Sequence, residues 1–228
     1  MKPQDRLIVA LDFDSKEGAL SMVEALKNDV KFFKVGLELF SACGRGIVTD
    51  IKKKGCEVFL DLKFHDIPNT VGKASAAVSS LGAFMFNVHA LGGEEMMKKA
   101  KESAGSRSKV IAVTILTSMD ENALKKSGIN VNIEDEVIKL AALARAAGLD
   151  GVVASAKEAA AIRKKLGKDF LIVVPGIRPA SAASDDQKRV ATPQEAVSAG
   201  ADYIVVGRPI TAAADQAKAA KAILKELQ

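Results

Sequence analysis

The sequence predicts an α/β protein built as one closed (β/α)8 barrel, the TIM-barrel architecture, spanning residues 1–228 as a single domain. Three observations lead there. Eight short apolar runs alternate with longer amphipathic stretches from end to end, which argues for a parallel sheet covered by helices. The 228 residues lie near the roughly 250 typical of the eight-stranded barrel. No composition shift, linker or repeat beyond the βα alternation divides the chain. An open, doubly wound sheet is the competitor, and no G-x-G-x-x-G follows the first strand to favour it.

The first strand is expected at Leu7–Asp12, followed by a helix over Ser15–Lys27 with Ser15 as its candidate cap. Strands at Phe32–Gly36 and Val58–Lys63 come next, then a helix at Val71–Ser80 and a strand at Phe84–His89. A helix at Glu94–Ser103 leads to a strand at Val110–Ile115, and Glu134–Ala147 leads to Gly151–Ala154. Helix Ala156–Leu166 precedes a strand at Leu171–Pro175. The last pair is a helix at Pro193–Ala199, opened by Thr192-Pro193, and a strand at Tyr203–Gly207. Gly148, Gly167 and Gly200 fall where left-handed helix stops belong.

Composition narrows the function classes. The chain is 48% hydrophobic and 27% charged, which suits a packed core rather than disorder. The run Leu7–Leu11 is far shorter than a membrane span, and Asp5, Arg6 and Asp12 bracket it too closely for a signal peptide. A net charge of +5 invites a nucleic-acid reading. The lysines are scattered over helical patterns with acids nearby, and aromatics make up only 4%, so solvated helix faces explain them better. No nucleic-acid partner and no membrane partner are expected. Cys43 and Cys56 have neither disulfide-framework nor metal-ligand spacing. A reduced, cytoplasmic protein is expected.

Strand parity then locates the chemistry. Residues two apart share a face, so Ile8, Ala10 and Asp12 point one way while Leu7, Val9 and Leu11 point to the helices. By the same rule Lys34 turns inward on the second strand, and Asp61 and Lys63 on the third. Four charges thus converge near the C-terminal ends of three consecutive strands, where barrels place catalysis. Unpaired they would be costly. Alternated in sign, each close pair gains up to about 4 kcal/mol at an effective dielectric near 20. A structural plug of salt bridges is the plainer reading, but apolar residues would fill the barrel without the desolvation cost. At the same mouth, Pro175-Gly176-Ile177-Arg178 and Gly207-Arg208 follow the seventh and eighth strands. Barrels frequently bind phosphate there, and an arginine fork suits phosphate oxygens. The long polar connection from Arg178 to Gln187 reads as a lid.

The stretch Asp61-Leu62-Lys63-Phe64-His65-Asp66-Ile67-Pro68-Asn69-Thr70 is the most informative. It joins a D-x-K-x-x-D motif to Ile-Pro-Asn-Thr. With Leu11-Asp12-Phe13, Lys34-Val35-Gly36, Leu116-Thr117-Ser118, Asp186-Gln187-Lys188-Arg189 and Val206-Gly207-Arg208-Pro209, it resembles the orotidine 5′-phosphate decarboxylase family in its compact bacterial form, over essentially the whole chain. The resemblance implies loss of CO2 from orotidine 5′-monophosphate, the last step of de novo UMP synthesis, with no metal and no organic cofactor. It implies that Lys63, kept charged by Asp61 and Asp66, protonates C6, and that Lys34 and Asp12 bind the ribose hydroxyls. Thr117 and Ser155 match positions around the ribose or base. Arg178, Gln187, Gly207 and Arg208 match the phosphate site. A homodimer is implied, with Asp66, Ile67 and Thr70 reaching the partner's pocket. Asp185 departs from the glycine common in relatives, which bears on the lid's conformation.

Other readings stand beside this one. A magnesium-dependent 3-keto-L-gulonate-6-phosphate decarboxylase or hexulose-6-phosphate synthase shares D-x-K-x-x-D and would be chelator-sensitive. A Schiff-base aldolase would use Lys34 or Lys63, although flanking carboxylates keep both protonated. A non-catalytic phosphate-binding barrel would be expected to have lost a charged position. His65 has no second histidine at ligand spacing and reads as a turn-orienting residue; His89 stays unassigned. Met96-Met97, Cys43 and Cys56 read as packing residues.

Overall fold

The structure, a computed structural model, describes residues 1–179 and 190–227. In chain order the elements run β1 (Leu7–Ala10), α1 (Lys16–Leu26), β2 (Phe32–Gly36), α2 (Leu37–Cys43), α3 (Gly46–Lys53), β3 (Glu57–Phe64), α4 (Pro68–Ser80), β4 (Met85–His89) and α5 (Glu94–Ala104). They continue with β5 (Lys109–Val113), α6 (Glu121–Lys126), α7 (Ile133–Ala146), β6 (Gly151–Val153), α8 (Ala156–Leu166), β7 (Leu171–Val174), α9 (Pro193–Ser198), β8 (Tyr203–Val206), α10 (Arg208–Thr211) and α11 (Gln216–Glu226). The strands pair in parallel in sequence order, and β8 returns to β1 to close the barrel.

Alternation along the strands divides the apolar residues into two bodies. Ile8, Phe32, Phe59, Met85, Ile111 and Tyr203 fill the barrel's interior. Leu7, Val9, Phe33, Val35, Leu60 and Phe86 point outward and pack against the helices in a larger, separate core. Inward parity is therefore as the strand pattern predicts.

Differences from the sequence expectation concern element ends. Asp12, Ile115 and Pro175 lie just past β1, β5 and β7 rather than inside them. Ladder bonding stops at the mouth while the chain still climbs: Leu11 N donates to the Lys34 carbonyl at 2.9 Å. α4 begins at Pro68, three residues before the expected Val71, because proline is favoured in a helix's first turn. Ser15 occupies the N-cap position of α1, yet its side chain makes no capping bond. Thr192 does cap α9, in a reciprocal box with Glu195. Gly148, Gly167 and Gly200 have positive φ, as their stop role requires.

One glycine inside the sheet is dictated by close approach. A Cβ at Gly151 on β6 would be driven into the Leu171 carbonyl oxygen and lie 2.6 Å from the Leu171 Cβ. Neither atom can yield without moving β7. Gly151→Ala is expected to cost about 2 kcal/mol or more, which for a chain of this size lowers the melting temperature by roughly 4–8 °C. Calorimetry of the purified variant checks this; an unchanged melting temperature would contradict it.

Candidate active site

The mouth of the barrel encloses a cavity of about 560 Å³, within the range of small-molecule sites. Its floor is apolar, made by Ala10, Phe59, Val153, Val173 and Val205. Four basic side chains (Lys34, Lys63, Arg178, Arg208) face three carboxylates (Asp12, Glu38, Asp61) above that floor. The wall carries a surplus of positive charge, suited to an anionic ligand.

The four charges expected to converge do so, alternating in sign. Lys34 Nζ donates to Asp12 Oδ1 at 3.0 Å and lies 3.5 Å from Asp61 Oδ2. Lys63 Nζ donates to Asp61 Oδ1 at 2.7 Å. Asp61 is thus clasped between two ammoniums. Burial works to raise its carboxyl pKa, but the charges of Lys34 and Lys63, with hydrogen bonds from Lys63 and Asn87, outweigh that and hold it below the usual aspartate value. It is ionised at neutral pH. Gly36, two residues beyond Lys34, leaves room for this chain, because a Cβ there would stand 2.7 Å from Lys34 Nζ.

Lys63 reaches its position by a distortion that parity alone does not contain. Between Leu60 and Phe64, β3 advances four residues while β4 advances two, from Phe86 to Val88. The two extra residues form a bulge. Lys63 sits in it with φ of 52°, the left-handed region and the only positive φ at a non-glycine among the described residues. Such backbone costs of order 1–3 kcal/mol and persists only where its surroundings enforce it. Here Asn87, 1% exposed on β4, accepts from Lys63 N at 2.8 Å and donates to Asp61 Oδ1 at 2.6 Å. Asn87 belongs to none of the motifs that mark the site in the sequence. The available signal is a lone amide on the inward parity of Met85-Phe86-Asn87-Val88-His89.

His89 lies at the end of the same strand with its ring 5.5 Å from that of His65. Burial, then the neighbouring His65 and Lys63, push its pKa below the ordinary histidine value, with Asp61 opposing. It is neutral at neutral pH. Among the described residues, no cluster of three or more His, Cys, Asp or Glu side chains forms a potential metal site.

The phosphate-end expectations separate. Thr117, Arg178, Gly207 and Arg208 all line the cavity. Arg178 is buried, its backbone N–H donating to Ala191 O at 2.9 Å beside the isolated Ile177–Ala191 bridge. That contact joins the start of the expected lid to Ala191, just before α9. Gln187, Asp185 and the lid itself lie outside the described residues. Gly207 occupies the N-cap of the short α10, which Arg208 opens.

Ser155 is not among the cavity-lining residues. It caps α8, its hydroxyl donating to Glu158 while its backbone N–H bonds the same carboxylate at 3.0 Å. Nor do Asp66, Ile67 and Thr70 line the cavity of their own chain. All three are exposed, Ile67 to 66%, and Asp66 accepts from Ile67 N rather than pairing with Lys63. Among the described residues of one chain, therefore, Asp61 alone is the carboxylate on Lys63.

Comparison with known proteins comes to the same region of sequence space from the whole chain. The sequence model of the Orotidine 5′-phosphate decarboxylase / HUMPS family matches residues 5–223. An orotidine 5′-phosphate decarboxylase of Geotalea daltonii is 54% identical over 97% of this chain and 95% of its own. One from Geobacter sulfurreducens is 54% identical over 98% and 96%. The crystal structure of orotidine 5′-phosphate decarboxylase from Lactobacillus acidophilus superposes with a TM-score of 0.87 at 41% identity, covering 98% of this chain and all of that one.

Proposed function

The chain belongs to the orotidine 5′-phosphate decarboxylase / HUMPS family, and we infer that it is a carboxy-lyase converting orotidine 5′-monophosphate into uridine 5′-monophosphate and CO2. The observation that carries the residue-level reading is the alternating chain Asp12–Lys34–Asp61–Lys63 at the edge of a cavity that also holds Arg178 and Arg208.

The chemical problem is an electron pair left on C6 of the pyrimidine, with no adjacent carbonyl to take it up. As the bond from C6 to the carboxylate breaks, CO2 departs and the pair stays on carbon. In our reading the Lys63 ammonium stabilises that charge and then passes a proton to C6, the neutral amine later taking up a proton from solvent. This route is cofactor-free. Asp61 keeps the amine protonated. Lys34 and Asp12 take the ribose hydroxyls, Thr117 the ribose or base, and Arg178, Gln187, Gly207 and Arg208 the phosphate. Ser155 would reach a ligand only by giving up its helix-cap bond, and we assign it a positioning role.

The reading extends to a cytoplasmic homodimer in which Asp66, Ile67 and Thr70 enter the partner's pocket. Their exposure at the rim supports it, as does the absence of an intrachain Lys63–Asp66 pair among the described residues. No helix of the described residues is long and apolar enough to cross a membrane. Mixing inactive Lys63→Ala and Asp66→Ala chains is expected to restore about a quarter of native activity, because one site of each heterodimer then carries both native groups. No restoration under subunit exchange would reject the shared site.

The other activity housed in this family is sugar-phosphate chemistry. A panel of orotidine 5′-monophosphate, 3-keto-L-gulonate 6-phosphate and hexulose 6-phosphate, followed by chromatography, separates them. Turnover of the nucleotide alone is the expected result, and turnover of a sugar phosphate alone would overturn the assignment.

A further inference from the structure

We propose that Asn87 is a positioning residue for the decarboxylation, holding Lys63 and Asp61 in register through a side-chain amide that bonds both; this rests on the reaction assigned above. The bonds form a ring. Lys63 N donates to Asn87 Oδ1, Asn87 Nδ2 donates to Asp61 Oδ1, and Lys63 Nζ returns to that same oxygen. Both ends of the lysine, its peptide N–H and its ammonium, are thereby referred to one buried group on the neighbouring strand.

The chemistry admits asparagine and little else. A peptide N–H can only donate, so the amide oxygen must face Lys63 and the NH2 must face the carboxylate. This stiffens Asp61 without adding charge to the alternating chain Asp12–Lys34–Asp61–Lys63. The ring also lies where the β3–β4 ladder is interrupted between Leu60 and Phe64. Asn87 supplies there an acceptor that sheet pairing does not, and so pins the left-handed backbone of Lys63. Loss of that tie leaves the amine placed by a flexible stem and by a carboxylate that has itself lost the Asn87 bond. Misplacement of a reacting group by about 1 Å can cost on the order of 10²-fold in rate.

The ionisable groups around position 87 are Asp61 and Lys63 on β3, Lys34 beyond Asp61 on β2, and His89 two residues on with His65 beside it. The register partner on β5 is the apolar Ile111. Asn87→Asp keeps the shape and brings a second carboxyl against Asp61. Ionising both carboxylates at that distance is costly, so the introduced group takes up a proton more readily than an ordinary carboxyl. Protonated, the introduced group donates to Asp61 as the amide did; ionised, it repels it. The rate of Asn87→Asp relative to wild type should therefore rise as pH falls.

The test measures kcat and KM for orotidine 5′-monophosphate against pH in wild type, Asn87→Ala and Asn87→Asp, with melting curves alongside. Asn87→Ala is expected to lose about 10²-fold in kcat with KM within threefold, and Asn87→Asp to recover toward acid pH. A kcat within threefold of wild type in a folded Asn87→Ala, or an Asn87→Asp profile parallel to wild type, would overturn the proposal. Should Asn87→Ala fail to fold, the near-isosteric Asn87→Asp still decides it. Peptide-resolved labelling with acetic anhydride is independent of the reaction: Lys63 should react several-fold faster in Asn87→Ala, which removes the tie without adding charge, at neutral pH. Equal labelling would reject the positioning even if wild type left the nucleotide untouched, an outcome that would itself reject the assigned reaction.

Discussion

Lys63→Met is expected to lower kcat for orotidine 5′-monophosphate by about 10⁴-fold or more in a chain that still folds. A positioned general acid is worth about 10²–10⁴ and a preorganised charge about 10²–10³, and the methionine supplies neither. Its length and volume fill the same space. Asp61 would lose the donor at 2.7 Å but keep Lys34 at 3.5 Å, so its charge is not stranded. The variant also carries a stability signature. Asp61 is held below the ordinary value of 3.8, so its ionised form adds stability above that pH, and the gain is lost as pH falls through the lowered folded-state value. Without Lys63 the lowering shrinks. The melting-temperature gap attributable to this pair should be greatest near neutrality and close as the pH drops below 3.8. Absorbance kinetics and calorimetry on one preparation check both parts.

Arg208→Ala is expected to lower kcat/KM by about 10²-fold, the order expected for losing charge-assisted hydrogen bonds from a guanidinium fork to a phosphate dianion. The phosphate lies remote from the bond that breaks, yet binding energy gathered there can be spent on closing the site and stripping water from the reacting end. Truncated substrate isolates the effect. Orotidine without its phosphate should react poorly with wild type, and Arg208→Ala should make it little worse. Equal penalties for nucleotide and nucleoside would show that the substitution damages the barrel rather than a phosphate site. Unchanged turnover of the nucleotide would remove Arg208 from the reading.

Much of this was legible in the sequence because two periodicities carry it. The alternation of apolar runs with amphipathic stretches specifies eight strands, and parity within Leu7–Asp12 and Phe32–Gly36 puts Ala10 and Lys34 inside. Lys63 was found by the same rule, but the rule is incomplete there: a bulge and a left-handed residue, invisible to a period of two, set where it points. Asn87 escaped because a hydrogen bond to a strained backbone leaves no pattern in its own strand. Ser155 has the opposite history. Ser155-Ala156-Lys157-Glu158 is a capping-box signature, and its buried hydroxyl belongs to that box. Asp66 is expected from the resemblance to hold Lys63 charged, whereas within one chain it accepts from Ile67 N, a local turn contact that strand parity does not encode.

The most direct test is the ultraviolet absorbance of orotidine 5′-monophosphate mixed with the purified wild-type chain, with and without EDTA. Conversion to uridine 5′-monophosphate at the same rate in both samples is the predicted result. An unchanged spectrum, or conversion abolished by the chelator, would contradict the account.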